Sequence, residues 1–500
     1  MAKFSDLHDD IVGYILEELT EDVVEDAELW SSSLYLLAIC RQWRALARPI
    51  VYSTGFIGKY DEEDSSEPAP IFSNMELVHI TASAGYIKSL AIVHGDSCSA
   101  WNMLSKIVDT LLYFREPLPN VKTVSVHSSI SDYLSSDYTL AEAETAAVED
   151  AVNVFTRHIP GTTQLSIVCD RVHLAVHRFI TALFYAYESS LDAFIYNGVP
   201  FEGDTRCIFQ LHSLFLKFTA PALQPIQIDP KMLTTLSLNS FGLNALWNSF
   251  SAASSSNSAN VEQPDGLPAL HNDLGALSLS EQAVKQSAAS LFPNLTWLIL
   301  DSPNDNLTVL KHLVRPPLRR LEMMWTLVDM RNSDITLGFL KKFVIYYSIR
   351  TFDNSQIDIL PLFAKINALL ARAAKVPFVR LMLTGATELL PWHEARWPCL
   401  TCLELYGLNT TIDFVFKLLL MLCELKQLKI NSLQMPNNEQ RTSHNYLRNL
   451  RDSLGQPSSA KLEWFTLITR PSFDVDYLDA TTKLLKWYLP QLKYVLIPSE

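Results

Sequence analysis

Glycine is scarce, with fifteen residues dispersed through 500, and the glycine-rich turns that cradle phosphates are missing with it. Gly198 and Gly203 have the spacing of a phosphate loop, but Asp204 stands where a lysine would meet the phosphate. There is no G-x-S-x-G nucleophile elbow, no H-E-x-x-H zinc helix and no dinucleotide-binding turn. His393 and Glu394, beside Trp392, form an isolated acid/base pair without a second histidine or a nucleophile, which reads as surface packing. The expectation is a chain with no catalytic residues and no cofactor.

Cysteine is also sparse. Cys40, Cys98, Cys169, Cys207, Cys399, Cys402 and Cys423 are odd in number and scattered, which suits reduced thiols in a cytoplasmic or nuclear protein. Cys399 and Cys402 have C-x-x-C spacing but lack the second pair or the histidines of a zinc site, so ordinary thiols on opposite faces of a strand are expected, and no metal. Long apolar runs are missing too. The richest, 414–423, is interrupted by Lys417 and is too short to cross a bilayer, and no leader-like segment opens the chain; no membrane role is expected.

Basic residues are outnumbered 54 to 40, giving a formal charge of −14. Residues 1–70 hold fifteen acidic and five basic side chains, so most of the imbalance is local. A chain without a concentrated Lys/Arg face is a poor partner for nucleic acid, whose affinity comes largely from neutralised phosphates. Arg315, Arg319 and Arg320 form a local basic spot that could touch a partner, although short charge clusters are usually solvated faces. An apolar fraction of 48% over 500 residues supplies a large core and a small appended module.

The appended module is legible at the start of the chain. Leu7, Ile11, Ile15 and Leu19 recur every four residues, with Val12 and Leu16 widening the stripe, which predicts an amphipathic helix. Ser5 is placed to cap it, and Asp6, Asp9 and Asp10 fall in the first turn, where negative charge suits the helix dipole. Gly13 weakens the helix by about 1 kcal/mol relative to alanine. After an acidic connection over residues 17–28, a second apolar period runs through Trp30, Leu34, Leu37, Ile39, Cys40, Trp43, Leu46 and Ala47, and Pro49 is expected to end it. About fifty residues in short helices sit near the lower limit of independent folding and would gain from packing on a partner.

The order Leu7-His8-Asp9-Asp10-Ile11-Val12, Ile15-Leu16, Leu19, then Leu36-Leu37-Ala38-Ile39-Cys40-Arg41-Gln42-Trp43-Arg44, Leu46-Ala47 and Tyr52 resembles the F-box. His8 stands where that family usually has proline. The Ile-Cys-Arg-Gln-Trp-Arg run at 39–44 is the most specific part, and the whole match covers about a tenth of the chain. The resemblance implies docking to the Skp-type adaptor subunit of a cullin-type (SCF) ubiquitin ligase through Leu7, Ile11, Ile15, Leu37, Cys40 and Trp43. A plain N-terminal helical cap would have the same periodicity.

Beyond an acidic Ser/Pro stretch at 61–70, the chain repeats an apolar residue at i, i+3 and i+5, with the last two on one face of a strand. The instances start at Ile87, Val121, Leu191, Leu211, Leu233, Leu295, Leu318, Phe378, Leu400, Leu425, Leu462 and Leu492. Several consecutive starts are 20 to 25 residues apart, and helix-like segments lie between them at 178–187, 305–313, 362–373 and 412–422. This resembles an irregular leucine-rich repeat. Phe241, Pro303, Leu408 and Leu433 occupy the ninth position, where that family places Asn or Cys, so its asparagine ladder is missing.

The fold class expected is therefore α/β: an F-box-like helical module at 1–55, an acidic linker at 56–74, and a leucine-rich-repeat-like solenoid at 75–500 interrupted by a polar insertion at 249–290. The resemblances imply a non-enzymatic substrate adaptor whose partners are the Skp-type subunit, the cullin scaffold and an unidentified protein substrate. The alternative is a free-standing repeat scaffold with no ligase role.

Overall fold

The computed structural model describes residues 9–20, 33–59, 71–94, 100–114, 116–128, 141–169, 173–200, 210–220, 229–239, 241–242, 292–301, 313–324, 335–349, 359–385, 387, 390–395, 397–434, 443–456, 458, 460–469 and 475–497. The chain divides into two compact units, residues 1–233 with 241–284, and residues 234–240 with 285–500. Leu7, Ser5, Trp30, the 249–290 insertion, Pro303 and most of 305–313 lie outside the described residues.

The first unit opens with α1 (Asp9–Thr20), a 3-10 turn (Leu34–Ala38) and α2 (Arg41–Val51). It continues as β1 (Thr54–Lys59), β2 (Ile71–Ser73), α3 (Met75–Ile80), β3 (Ser89–His94), α4 (Ala100–Leu112), β4 (Thr123–Ser128), α5 (Glu142–His158), β5 (Gln164–Cys169), α6 (Leu174–Ala186), β6 (Ala193–Gly198) and β7 (Ser213–Phe218). The strands lie side by side in the order β2-β1-β3-β4-β5-β6-β7, parallel except for the antiparallel pair β1–β2. Parallel neighbours taken in chain order must return by crossovers on one side, and α4, α5 and α6 pack on one another there.

The inward positions of these strands form two apolar rows in register. Leu90, Val124, Leu165, Phe194 and Leu214 make one; Ile57, Ile92, Val126, Ile167, Tyr196 and Leu216 make the other, all essentially without exposure. Each such side chain contributes about 1.5–3 kcal/mol by leaving water, which is why the i, i+3, i+5 spacing recurs. At the strand entries, backbone hydrogen bonds step from strand to strand. The carbonyl of Lys88 accepts from Lys122 and Thr123, that of Lys122 from Thr163 and Gln164, and that of Thr163 from Asp192 and Ala193. Each carbonyl thus uses both lone pairs at the strand entry.

The second unit is built alike. Its strands β8 (Thr235–Leu238), β9 (Trp297–Asp301), β10 (Arg320–Met324), β11 (Lys342–Ile349), β12 (Phe378–Gly385), β13 (Cys402–Thr410), β14 (Gln427–Leu433), β15 (Trp464–Leu467) and β16 (Tyr494–Leu496) are parallel in chain order. Among the described residues its α-helices are α7 (Ile359–Arg372), α8 (Ile412–Met421), α9 (Ser443–Leu454) and α10 (Val475–Tyr488). Thr296, Arg319, Thr401, Lys426 and Glu463 carry the same two-acceptor carbonyl step. Leu408 and Leu433, at the ninth position, are buried. Gly385, at φ +85°, ends β12 where a Cβ would overlap the carbonyl oxygen of Ile349 on β11.

Five sequence expectations change. Residues 56–59 and 71–73, expected in the linker, are strand, because β1 extends the parallel sheet one rung beyond β3 and β2 covers its outer edge. Pro49 does not end α2; Val51 buries its side chain, and Tyr52 N–H to the Arg48 carbonyl closes the last turn around the missing proline donor. Phe378 is outward, while Leu381 and Leu383 are inward as expected and Val376 and Val379 complete the buried set, Val379 registering with Phe343. The repeat Leu340–Phe343–Ile345, unrecognised in the sequence, is fully buried. In the final repeat Val495 and Ile497 are only half-buried, because β15 is the neighbour on one side alone among the described residues.

Candidate docking surface

The predicted apolar stripe of α1 divides in two. Val12 and Leu16 are buried, and α1 packs on α2. Ile11 is 51% exposed and Tyr14 65% exposed, with Ile15 half-buried between the two faces. Residues three and four apart share a helix face, so Ile11, Tyr14 and Ile15 form one apolar patch. The 3-10 turn, which also packs on α2, behaves similarly: Leu36 is buried while Tyr35 is 57% and the following Ile39 is 50% exposed. Leu37 is half-buried.

Inside this module, α2 directs Trp43, Ala47 and Val51 inward at every fourth position. Cys40 is exposed and caps α2, its sulfur accepting from the Trp43 N–H at 3.4 Å. Arg44 donates through Nε to the Leu37 carbonyl at 2.8 Å, fixing the 3-10 turn to the helix.

Of the six residues implied by the resemblance, Leu7 lies outside the described residues. Ile11 and Cys40 are exposed, Ile15 and Leu37 half-buried, and Trp43 is 5% exposed. Trp43 is thus largely buried within the module. Tyr14 and Tyr35 were not singled out in the sequence, although Tyr14 sits at i+3 from Ile11 and could have been read from that spacing.

The helices are tied to the repeat that follows. Arg48 of α2 donates to the Thr81 carbonyl and to Ser83 Oγ at 3.0 Å, and its guanidinium lies 5.7 Å from the Tyr86 ring centre. The Ser53 carbonyl accepts from Lys88 at 2.7 Å and Ser89 at 3.1 Å, the first rung of the strand-entry ladder.

Other sequence candidates separate from this surface. His393 and Glu394 lie 3.7 Å apart, both exposed. Cys399 sits in the turn before β13, not on a strand face, and donates to the Leu370 carbonyl at 3.2 Å; Cys402 begins β13 beside Glu404. Burial pushes the Cys399 thiol up, and burial followed by the nearby Glu404 carboxylate pushes Cys402 up to about 12. Among the described residues no three metal-ligating side chains converge, and no helix is long and apolar enough to cross a membrane.

No protein-family model matches this chain, and no curated protein matches it. Among solved structures it is similar to an internalin from Listeria monocytogenes, at 12% identity, covering 87% of this chain and 92% of that one, with a TM-score of 0.24. That superposition is too loose to carry an argument, and the repeat architecture rests on the strand register itself.

Proposed function

We propose that the chain is a substrate adaptor of a cullin-type ubiquitin ligase, docking the Skp-type subunit through its N-terminal helices and holding a protein target on its repeats. The observation that carries the reading is the exposed apolar set Ile11, Tyr14, Tyr35 and Ile39, on two elements that both pack on α2. Exposed apolar side chains grouped on two elements of one small module mark a candidate interaction site. The resemblance of residues 39–44 to the F-box supplies the partner class. On this reading the chain performs no chemistry of its own: it raises the effective concentration of a target lysine near a recruited conjugating enzyme.

A second reading is favoured by Arg48 and Ser53, whose bonds to residues 81–89 join the helices to the first repeat as a terminal cap does. Capture of a purified Skp-type subunit by the full chain separates the two. The adaptor reading expects capture by the wild type and its loss in the double substitution Ile11→Asp and Ile39→Asp, with unchanged circular dichroism. No capture by the wild-type chain would leave the scaffold reading alone standing.

A further inference from the structure

The outer face of the second unit carries a row that the docking surface does not use. At the entry of four adjacent strands Trp297, Arg320, Lys342 and Phe378 stand in register. Neighbouring strands are about 4.8 Å apart, so Arg320 and Lys342 are like charges directly opposite, an arrangement that destabilises a sheet. The preceding residues, Arg319 and Lys341, are aligned by the Arg319 carbonyl accepting from both Lys341 and Lys342, and both side chains are exposed. Four cations therefore crowd two strands.

Compensation is partial. Arg320 pairs with Glu322 two residues along and lies 4.0 Å from the Trp297 ring centre, and Lys342 lies 5.3 Å from that of Phe378. Among the described residues Arg319 and Lys341 have no carboxylate partner. The two inner cations are each held against a flanking ring, which fixes them without neutralising charge.

We propose that this row is a recognition site for an acidic peptide segment of a protein target. An acidic peptide would supply the missing carboxylates, while Trp297 and Phe378 offer apolar surface to the side chains between them. A single-stranded nucleic acid would meet the same four cations, and its binding is an outcome of the test. The inference deepens the proposed role of the repeats and rests on it only for the identity of the target as a protein; it does not need the N-terminal helices.

The test is fluorescence anisotropy of the full chain with labelled hexaglutamate, hexaglutamine and hexathymidylate. Hexaglutamate is expected to bind, more weakly as salt rises, and hexaglutamine not to bind. Arg319→Glu with Lys341→Glu is expected to weaken hexaglutamate binding by about tenfold or more. Arg448→Glu with Lys486→Glu, an equal charge change at exposed positions on α9 and α10, is expected to stay within about threefold. Equal losses in the two double variants, no binding of hexaglutamate, or tighter binding of hexathymidylate would each overturn the proposal. Capture of the Skp-type subunit by the Arg319/Lys341 variant is expected to persist, so failure here and failure of ligase docking are read separately.

Discussion

Replacing Ile11 and Ile39 with alanine tests the docking surface quantitatively, because each keeps about half its surface in water, 51% and 50% respectively. Burying a whole isoleucine side chain is worth about 1.5–3 kcal/mol, so the half still exposed can contribute about 0.8–1.5 kcal/mol on docking. Removing both should weaken binding by about 1.5–3 kcal/mol, which is roughly 10- to 150-fold in Kd. The folded chain loses little internal packing at either site, so its own stability should change by less than about 0.5 kcal/mol. Leu16→Ala is the contrasting perturbation: that side chain is buried, and its truncation should cost about 2–5 kcal/mol of module stability. Calorimetric titration with the purified Skp-type subunit and thermal melts of each variant read the two effects separately. A double variant that melts normally and binds within twofold of the wild type would refute the assignment of these side chains to the interface.

Gly13→Ala should stabilise α1 by about 0.5–1 kcal/mol, since a Cβ there meets nothing within 4 Å; Gly385→Ala should destabilise, since its φ of +85° and the Ile349 carbonyl both reject a Cβ. Denaturant melts showing the same sign for both would contradict the backbone account. Brief alkylation at pH 8 followed by mass spectrometry should label Cys40 and Cys423 and spare Cys169, Cys399 and Cys402, as the first two are exposed and the thiol of Cys402 is raised to about 12. Rapid labelling of Cys402 in the folded chain would show that its burial is wrong. Arg48→Met should cost about 1–3 kcal/mol by leaving the Thr81 carbonyl and Ser83 hydroxyl short of a donor, and should speed amide exchange across 41–51. Unchanged exchange there would mean that the helices are held to the first repeat by other contacts.

Much of the repeat was readable because burial imposes a period. Leu211, Leu214 and Leu216 are spaced as they are since only that spacing places the last two on the inner face of β7. The same logic failed at Phe378, where an apolar residue two positions off mimics the pattern and only the pairing of Val379 with Phe343 reveals the frame. Leu340, Phe343 and Ile345 carry the same i, i+3, i+5 spacing and were legible from it. At the docking surface, the sequence marked α1 as amphipathic but merged two faces that α2 divides into a buried and an exposed one.

The sequence alone determined the alternation of strand and helix and the N-terminal run resembling an F-box, since these follow from local spacing and residue type. Tertiary structure decided that β1 joins the sheet, that Trp43 is inward while Ile11 and Ile39 are outward, and that Trp297, Arg320, Lys342 and Phe378 share a row. Those outcomes depend on which strands become neighbours and which helix face finds a partner. Such pairings are set by contacts between residues far apart in the chain, and local periodicity carries no information about them.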